Sequence, residues 1–218
     1  MTSLKIRLRV VRLCWLSIAL PALAAAAETP AAPTAPTTAA AACATTEEAA
    51  RITALYSKSP APMPFQAQEE LKLPESTIAS ALPGALATGI DGSHFRAVWD
   101  SLVRWETAMV MIRKGGNVFE VSTKIVAGEP SKRSKYFNLG HDSSFSGHLR
   151  PDLITSIYAV ALPGREGLAR GVFFYDAAGD SVFGVFLPGE GATPSAKAVA
   201  DFENTWNLLK SLPARCGT

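Results

Sequence analysis

Between residues 108 and 187 the chain is cut into seven short apolar-rich runs, at 108–112, 118–126, 136–139, 145–149, 154–162, 168–175 and 181–187, separated mostly by Gly, Pro, Asp and Ser clusters. Runs of this length, so regularly punctuated by turn residues, have the size of strands. Lys114-Gly115-Gly116-Asn117 and Asp176-Ala177-Ala178-Gly179-Asp180 are hairpin turns by composition, so consecutive strands return antiparallel to one another. Helical periodicity flanks this region on both sides. Phe95, Val98, Trp99, Leu102 and Trp105 share one helical face at 94–105, and Val199, Phe202, Trp206, Leu209 and Leu212 share another at 195–212, which makes both faces core-directed. The expected fold class is α+β: one large antiparallel β-sheet meander flanked by helices.

A smaller helical unit precedes the sheet, at 46–84. Thr46-Glu47-Glu48 supplies an N-cap and acids in a first turn, Ile52, Leu55 and Tyr56 an apolar stripe, and Pro60, Pro62 and Pro64 a stop. Two short helices follow at 65–71 and 75–82, ended by Pro83-Gly84. This pair has the outline of a DNA-reading motif, but residues 76–80 contain no Arg, Lys, Asn or Gln to read base edges.

The first 27 residues carry Lys5, Arg7, Arg9 and Arg12 and no acid, followed by an apolar run at 13–26 and small residues at Ala25 and Ala27. This is the pattern of a cleavable secretory signal peptide, 1–27, cut after Ala27. The apolar run is shorter than the ~20 residues that span a bilayer. Residues 28–45 are almost wholly Ala, Pro and Thr, a composition that stiffens a linker and cannot bury a core. A single domain is expected over 46–213. Removing the four signal-peptide cations from 21 basic residues leaves 17 against 19 acidic ones, so the mature chain has no basic excess to draw it to nucleic acid or to a membrane. Its expected location is periplasmic or secreted. Cys14 would leave with the signal, and Cys43 and Cys216, one near each end, can pair in an oxidising compartment.

No serine elbow, phosphate loop, HExxH or dinucleotide fingerprint occurs. Ser146-Gly147-His148 is no nucleophile and base, because neighbours on a strand point to opposite faces. Asp91, Asp100, Glu120 and Asp152 follow no spacing that marks a carboxylate pair and are expected to be solvated. Two of the three histidines, His141 and His148, lie within 136–150. A neutral imidazole suits iron, and on spacing alone a metal ligand and a surface histidine both remain open.

The segments Phe95-x-x-Val98-Trp99-Asp100, Trp105, Tyr136-Phe137-Asn138-Leu139, Ser146-Gly147-His148-Leu149-Arg150 and Phe173-Phe174 resemble the ChuX/HutX haem-utilisation carrier family, relatives of the ChuS/HemS haem-trafficking proteins. The similarity runs over about 47–212. It implies a homodimer with a large antiparallel sheet, a protein that takes haem from a donor and passes it to an acceptor protein without turning it over. It places His148 on a histidine implicated in haem binding, the metal ligand, and Arg150 on its basic neighbour, suited to a haem propionate. A second family histidine falls on Arg113, which cannot ligate iron. Coordination is then one-sided, or His141, Tyr136 or His94 supplies the other ligand, and Arg113 is free to hold a propionate. Family members usually work in the cytoplasm and begin near the equivalent of Glu47, so the signal and linker imply an exported carrier. Two alternatives stand beside it: a haem-degrading or tetrapyrrole-modifying enzyme on this scaffold, and a binding module that has lost haem.

Overall fold

The computed structural model describes residues 42–165, 167–188 and 193–216; residues 1–27, expected as a signal peptide, and most of 28–45, expected as a linker, lie outside them. Along the chain come α1 (Thr46–Tyr56), α2 (Pro64–Leu71), α3 (Glu75–Ser80), β1 (Ala87–Asp91), α4 (Phe95–Leu102), β2 (Ala108–Lys114), β3 (Asn117–Thr123), β4 (Gly128–Pro130), β5 (Phe137–Leu139), β6 (His148–Leu149), β7 (Ser156–Gly164), β8 (Gly167–Tyr175), β9 (Ser181–Phe186) and α5 (Ala196–Ser211).

The α+β architecture is as expected, with two sheets where one was expected. Six strands form the large antiparallel sheet in the order β1-β7-β8-β9-β2-β3, and β4-β5-β6 form a separate three-stranded sheet within the connection from β3 to β7. The hairpin between β2 and β3 closes on Gly115 and Gly116, both at positive φ (56° and 80°), the backbone that a two-residue turn of this twist requires. The run expected as a strand over 145–149 shortens to His148–Leu149. The Ser143 hydroxyl donates to the Phe145 carbonyl at 2.8 Å and accepts from the Phe145 amide at 3.2 Å, which diverts that backbone into a turn. Sequence reading missed β1, an edge strand whose Gly89 faces Tyr158 of β7. A Cβ at Gly89 would fall on the Tyr158 ring, so a residue of low strand propensity is what this pairing needs.

Both faces of the large sheet are covered from β1 to β2, the edge strand β3 being largely exposed, and the alternation of the covered strands sorts side chains into two cores. On β2, Ala108, Val110 and Ile112 join Val172 and Phe174 of β8 against α4, α5 and the small sheet. Met109 and Met111 join Phe173 and Tyr175 of β8 against α1, α2 and α3. Trp105 Nε1–H donates to Thr205 Oγ1 at 3.0 Å and joins the end of α4 to α5.

The helical unit is fixed at both ends. Its N-cap is Thr45 rather than Thr46, forming a capping box with Glu48. Residues 42–45, expected as linker, are anchored: the Thr77 hydroxyl donates to the Ala42 carbonyl at 3.0 Å, the Ala44 amide donates to Ser80 Oγ at 2.9 Å, and Cys43 is disulfide-bonded to Cys216. At the other end, Gln68 Nε2–H donates to Asp180 Oδ1 and the Ser76 amide to the Gly179 carbonyl, clamping the β8–β9 turn.

Glu75, the first residue of α3, lies within this clamp with its side chain 3% exposed and accepts from Arg113 Nη1 at 2.7 Å. Burial raises its carboxyl from 4.5 to about 7 against the pull of Arg113. The folded state therefore holds this proton more tightly than the unfolded chain. Glu75's contribution to stability is complete below about pH 4.5 and is lost as pH rises through about 7. Urea unfolding across this window is expected to show a decline of up to about one proton's slope in the wild type that Glu75→Gln lacks. Parallel profiles for the two proteins would contradict this account.

Candidate functional site

The small sheet is polar outside and apolar inside because its register keeps period-two alternation in step across its strands. Phe137 pairs with Leu149 and Pro130, and Asn138 pairs with His148 and Glu129. Phe137 and Leu139 are buried, and Leu149 packs against the same core. Tyr136, Asn138, His148 and Arg150, on the alternate positions, form the outward face.

Ring contacts and a hydrogen bond seat this sheet on the main body. The Phe137 ring stands edge-on to Phe95 (5.4 Å between centroids) and to Trp99 (6.0 Å). Trp99 Nε1–H donates to the Val126 carbonyl, two residues before β4, at 3.1 Å. Phe145, in the β5–β6 loop, meets Phe183 of β9 at 6.2 Å.

On the outward face, His148 Nδ1 and Asn138 Oδ1 are 2.8 Å apart. An amide oxygen only accepts, so the imidazole donates from Nδ1 and keeps the lone pair on Nε2. The Tyr136 ring lies 5.8 Å from the His148 ring, tilted by 59°, and is 43% exposed. The Arg150 guanidinium is 5.7 Å from the Tyr136 ring and grips Asp152 with two bonds, Nε to Oδ1 at 2.7 Å and Nη2 to Oδ2 at 2.8 Å. Lys135 Nζ reaches Asp152 Oδ2 at 3.5 Å. Hydrogen bonding from Arg150 is the largest influence holding Asp152 down at about 2, with the Arg150 and Lys135 charges adding to it. Asp152 is exposed, as expected of a solvated carboxylate, and is also the ion-pair partner that gathers Arg150 and Lys135. Chemically the surface offers an imidazole nitrogen for iron, an aromatic face beside it, and two cations held on one carboxylate.

The structure brings His148, Tyr136 and Arg150 together and leaves the other candidates elsewhere. His141 is exposed on the β5–β6 loop and shares neither the hydrogen bond nor the ring contact of His148. His94 lines a cleft of about 400 Å³ with Cys43, Asp91 and Arg215, none of which belongs to the small sheet. Arg113, considered for a propionate, points to the helical-unit face of the large sheet. There it bonds Glu75 and lies 4.2 Å from the Phe65 ring centroid, while the small sheet packs on the opposite face. Its exclusion follows from alternation along β2, where Arg113 is in phase with Met109 and Met111. Asn138 lay within a quoted motif without a role, and the signal that would have found it is its cross-strand pairing with His148. Among the described residues no three His, Cys, Asp or Glu side chains converge as a metal cage, and no helix is long and apolar enough to cross a membrane.

Comparison with known proteins places these features in a family. A model of the family described as "Haem utilisation ChuX/HutX" matches residues 88–205, from β1 into α5. The chain is 30% identical over 140 residues, 63% of its length and 70% of the relative's, to the "Intracellular heme transport protein HutX" of Vibrio cholerae serotype O1. Its fold is similar to a structure described as that of the heme-binding protein ChuX, with a TM-score of 0.64, 20% identity, and coverage of 75% of this chain and 99% of that one. It also resembles half of the heme-degrading enzyme ChuS of Escherichia coli O157:H7, with a TM-score of 0.57 and 14% identity over 72% of this chain and 47% of that one. With the matched segment spanning more than half of the 218 residues and containing the whole small sheet, this chain belongs to the haem-utilisation ChuX/HutX family.

Proposed function

We propose that the mature chain is an exported haem carrier that holds ferric haem non-covalently on the outward face of the small sheet, with His148 as axial ligand. The observation that carries this reading is the 2.8 Å bond from His148 Nδ1 to Asn138, which leaves Nε2 as the ligating atom in a chain of this family. Tyr136 supplies an aromatic neighbour. Arg150 and Lys135, gathered on Asp152, supply positive charge for the carboxylates of haem.

Two independent features support export. One is the signal pattern of residues 1–27. The other is the Cys43–Cys216 disulfide, a bond that persists in oxidising compartments and is rare in the cytosol. The Vibrio relative, described as intracellular, then marks a difference of compartment within the family. Cleavage after Ala27 would leave residues 28–41 as a linker ahead of the anchored segment 42–45. The carrier is proposed to act as a homodimer between a haem donor and a haem acceptor.

Titrating the chain from Glu28 onward with hemin tests the reading. The expected result is a Soret band that saturates near one haem per chain; a change that never saturates would overturn it. Adding reductant and oxygen to the complex separates a carrier from a degrading enzyme: the band persists in a carrier, whereas bleaching with release of iron would favour the enzyme.

A further inference from the structure

We infer that Asn138 is a positioning residue, selecting which nitrogen of His148 meets the iron and tuning how strongly that nitrogen donates; this rests on the haem-binding reading above. Asn138 and His148 are cross-strand partners in the small sheet, held 2.8 Å apart from Oδ1 to Nδ1. The backbone fixes both residues. Phe137 and Leu139, which bracket Asn138, are 3% and 4% exposed, and Leu149, next to His148, packs on the same core. The amide therefore sits opposite the ring irrespective of any ligand.

The chemistry runs one way. A neutral histidine side chain in water favours the proton on Nε2, the nitrogen further from the backbone, and that tautomer would offer iron only Nδ1. Because Oδ1 has no hydrogen to give, its bond stabilises the opposite tautomer, with the proton on Nδ1 and the lone pair on Nε2. A partner that accepts from the non-ligating nitrogen also raises the basicity of the ligating one. A carboxylate in place of the amide strengthens that effect through a charge-assisted bond, and alanine removes it. Asn138 is therefore a dial as well as a clamp.

Two measurements test this. In the ligand-free mature protein, long-range ¹H–¹⁵N correlation spectra at a pH where His148 is neutral are expected to show the Nδ1–H tautomer in the wild type. Asn138→Ala is expected to revert to the Nε2–H tautomer. In the haem complexes, the reduction potential is expected to rise in the order Asn138→Asp, wild type, Asn138→Ala, while Asn138→Ala loses about 10- to 100-fold in affinity. An Nε2–H tautomer in the wild type, or equal potentials in the three proteins, would overturn the assignment. A wild type that takes up no haem overturns the haem-binding reading instead. The ligand-free spectrum still reports separately on the hold of Asn138 over the ring.

Discussion

Replacing Trp99 with alanine is expected to destabilise the protein by about 3–5 kcal/mol, the range for a large aromatic removed from a closed core, and to loosen the His148 platform with it. Trp99 is fully buried, stacks on Phe95 at 5.6 Å and meets Phe137 and Phe183 edge-on. It therefore ties α4, on which it lies, to the small sheet and to β9 at once. Its Nε1–H is bonded to the carbonyl of half-buried Val126, and losing that bond adds about 0.5–1.5 kcal/mol. Trp99→Phe separates the two contributions, since it keeps most of the packing and loses the bond, and is expected to cost about 1–3 kcal/mol. Urea unfolding gives both values. Equal losses in the two variants would mean that the bond, rather than the packing, carries the stability.

Breaking the Cys43–Cys216 disulfide is the second large effect. The cross-link closes a loop of 173 residues; the chain-entropy relation gives about 5 kcal/mol for that length, and measured values are typically 2–4 kcal/mol. We expect the lower part of this span, because other contacts also hold the two ends. Residues 42 and 44 bond α3, while the Arg215 amide donates to the Gly89 carbonyl and Ala214 bridges Ile90 on β1. Thermal unfolding with and without dithiothreitol, beside the Cys43→Ser/Cys216→Ser double variant, checks this. A shift under about 1 kcal/mol would show that the local contacts alone anchor the ends.

The parts of the fold legible in sequence are those where one physical rule acts alone. The Gly115-Gly116 turn, the inward stripes of α4 and α5 and the three-strand run β7-β8-β9 follow from turn chemistry and periodicity. The small sheet was only half legible, since strands of two and three residues are too short to show alternation and β4 lay within an expected loop. Glu75 was invisible for another reason. A glutamate in the first turn of a helix is ordinarily solvated, and only its meeting with Arg113, 38 residues away, buries it. At the site, His148 and Arg150 were reached through family resemblance rather than spacing. Asn138 depends on strand register, which no single stretch of sequence encodes, and Arg113 was misplaced because β2 alternates between two buried faces.

The central claim is that His148 holds haem, and hemin titration of the chain from Glu28 onward, wild type beside His148→Ala, tests it most directly. His148 is exposed and its contacts are the Asn138 bond and the Tyr136 ring, so the substitution leaves the fold intact and unfolding curves are expected to coincide. The account predicts a saturating Soret band for the wild type and a loss of about 100-fold or more in affinity for the variant, ~2.7 kcal/mol. Superimposable titrations of the two proteins would contradict it.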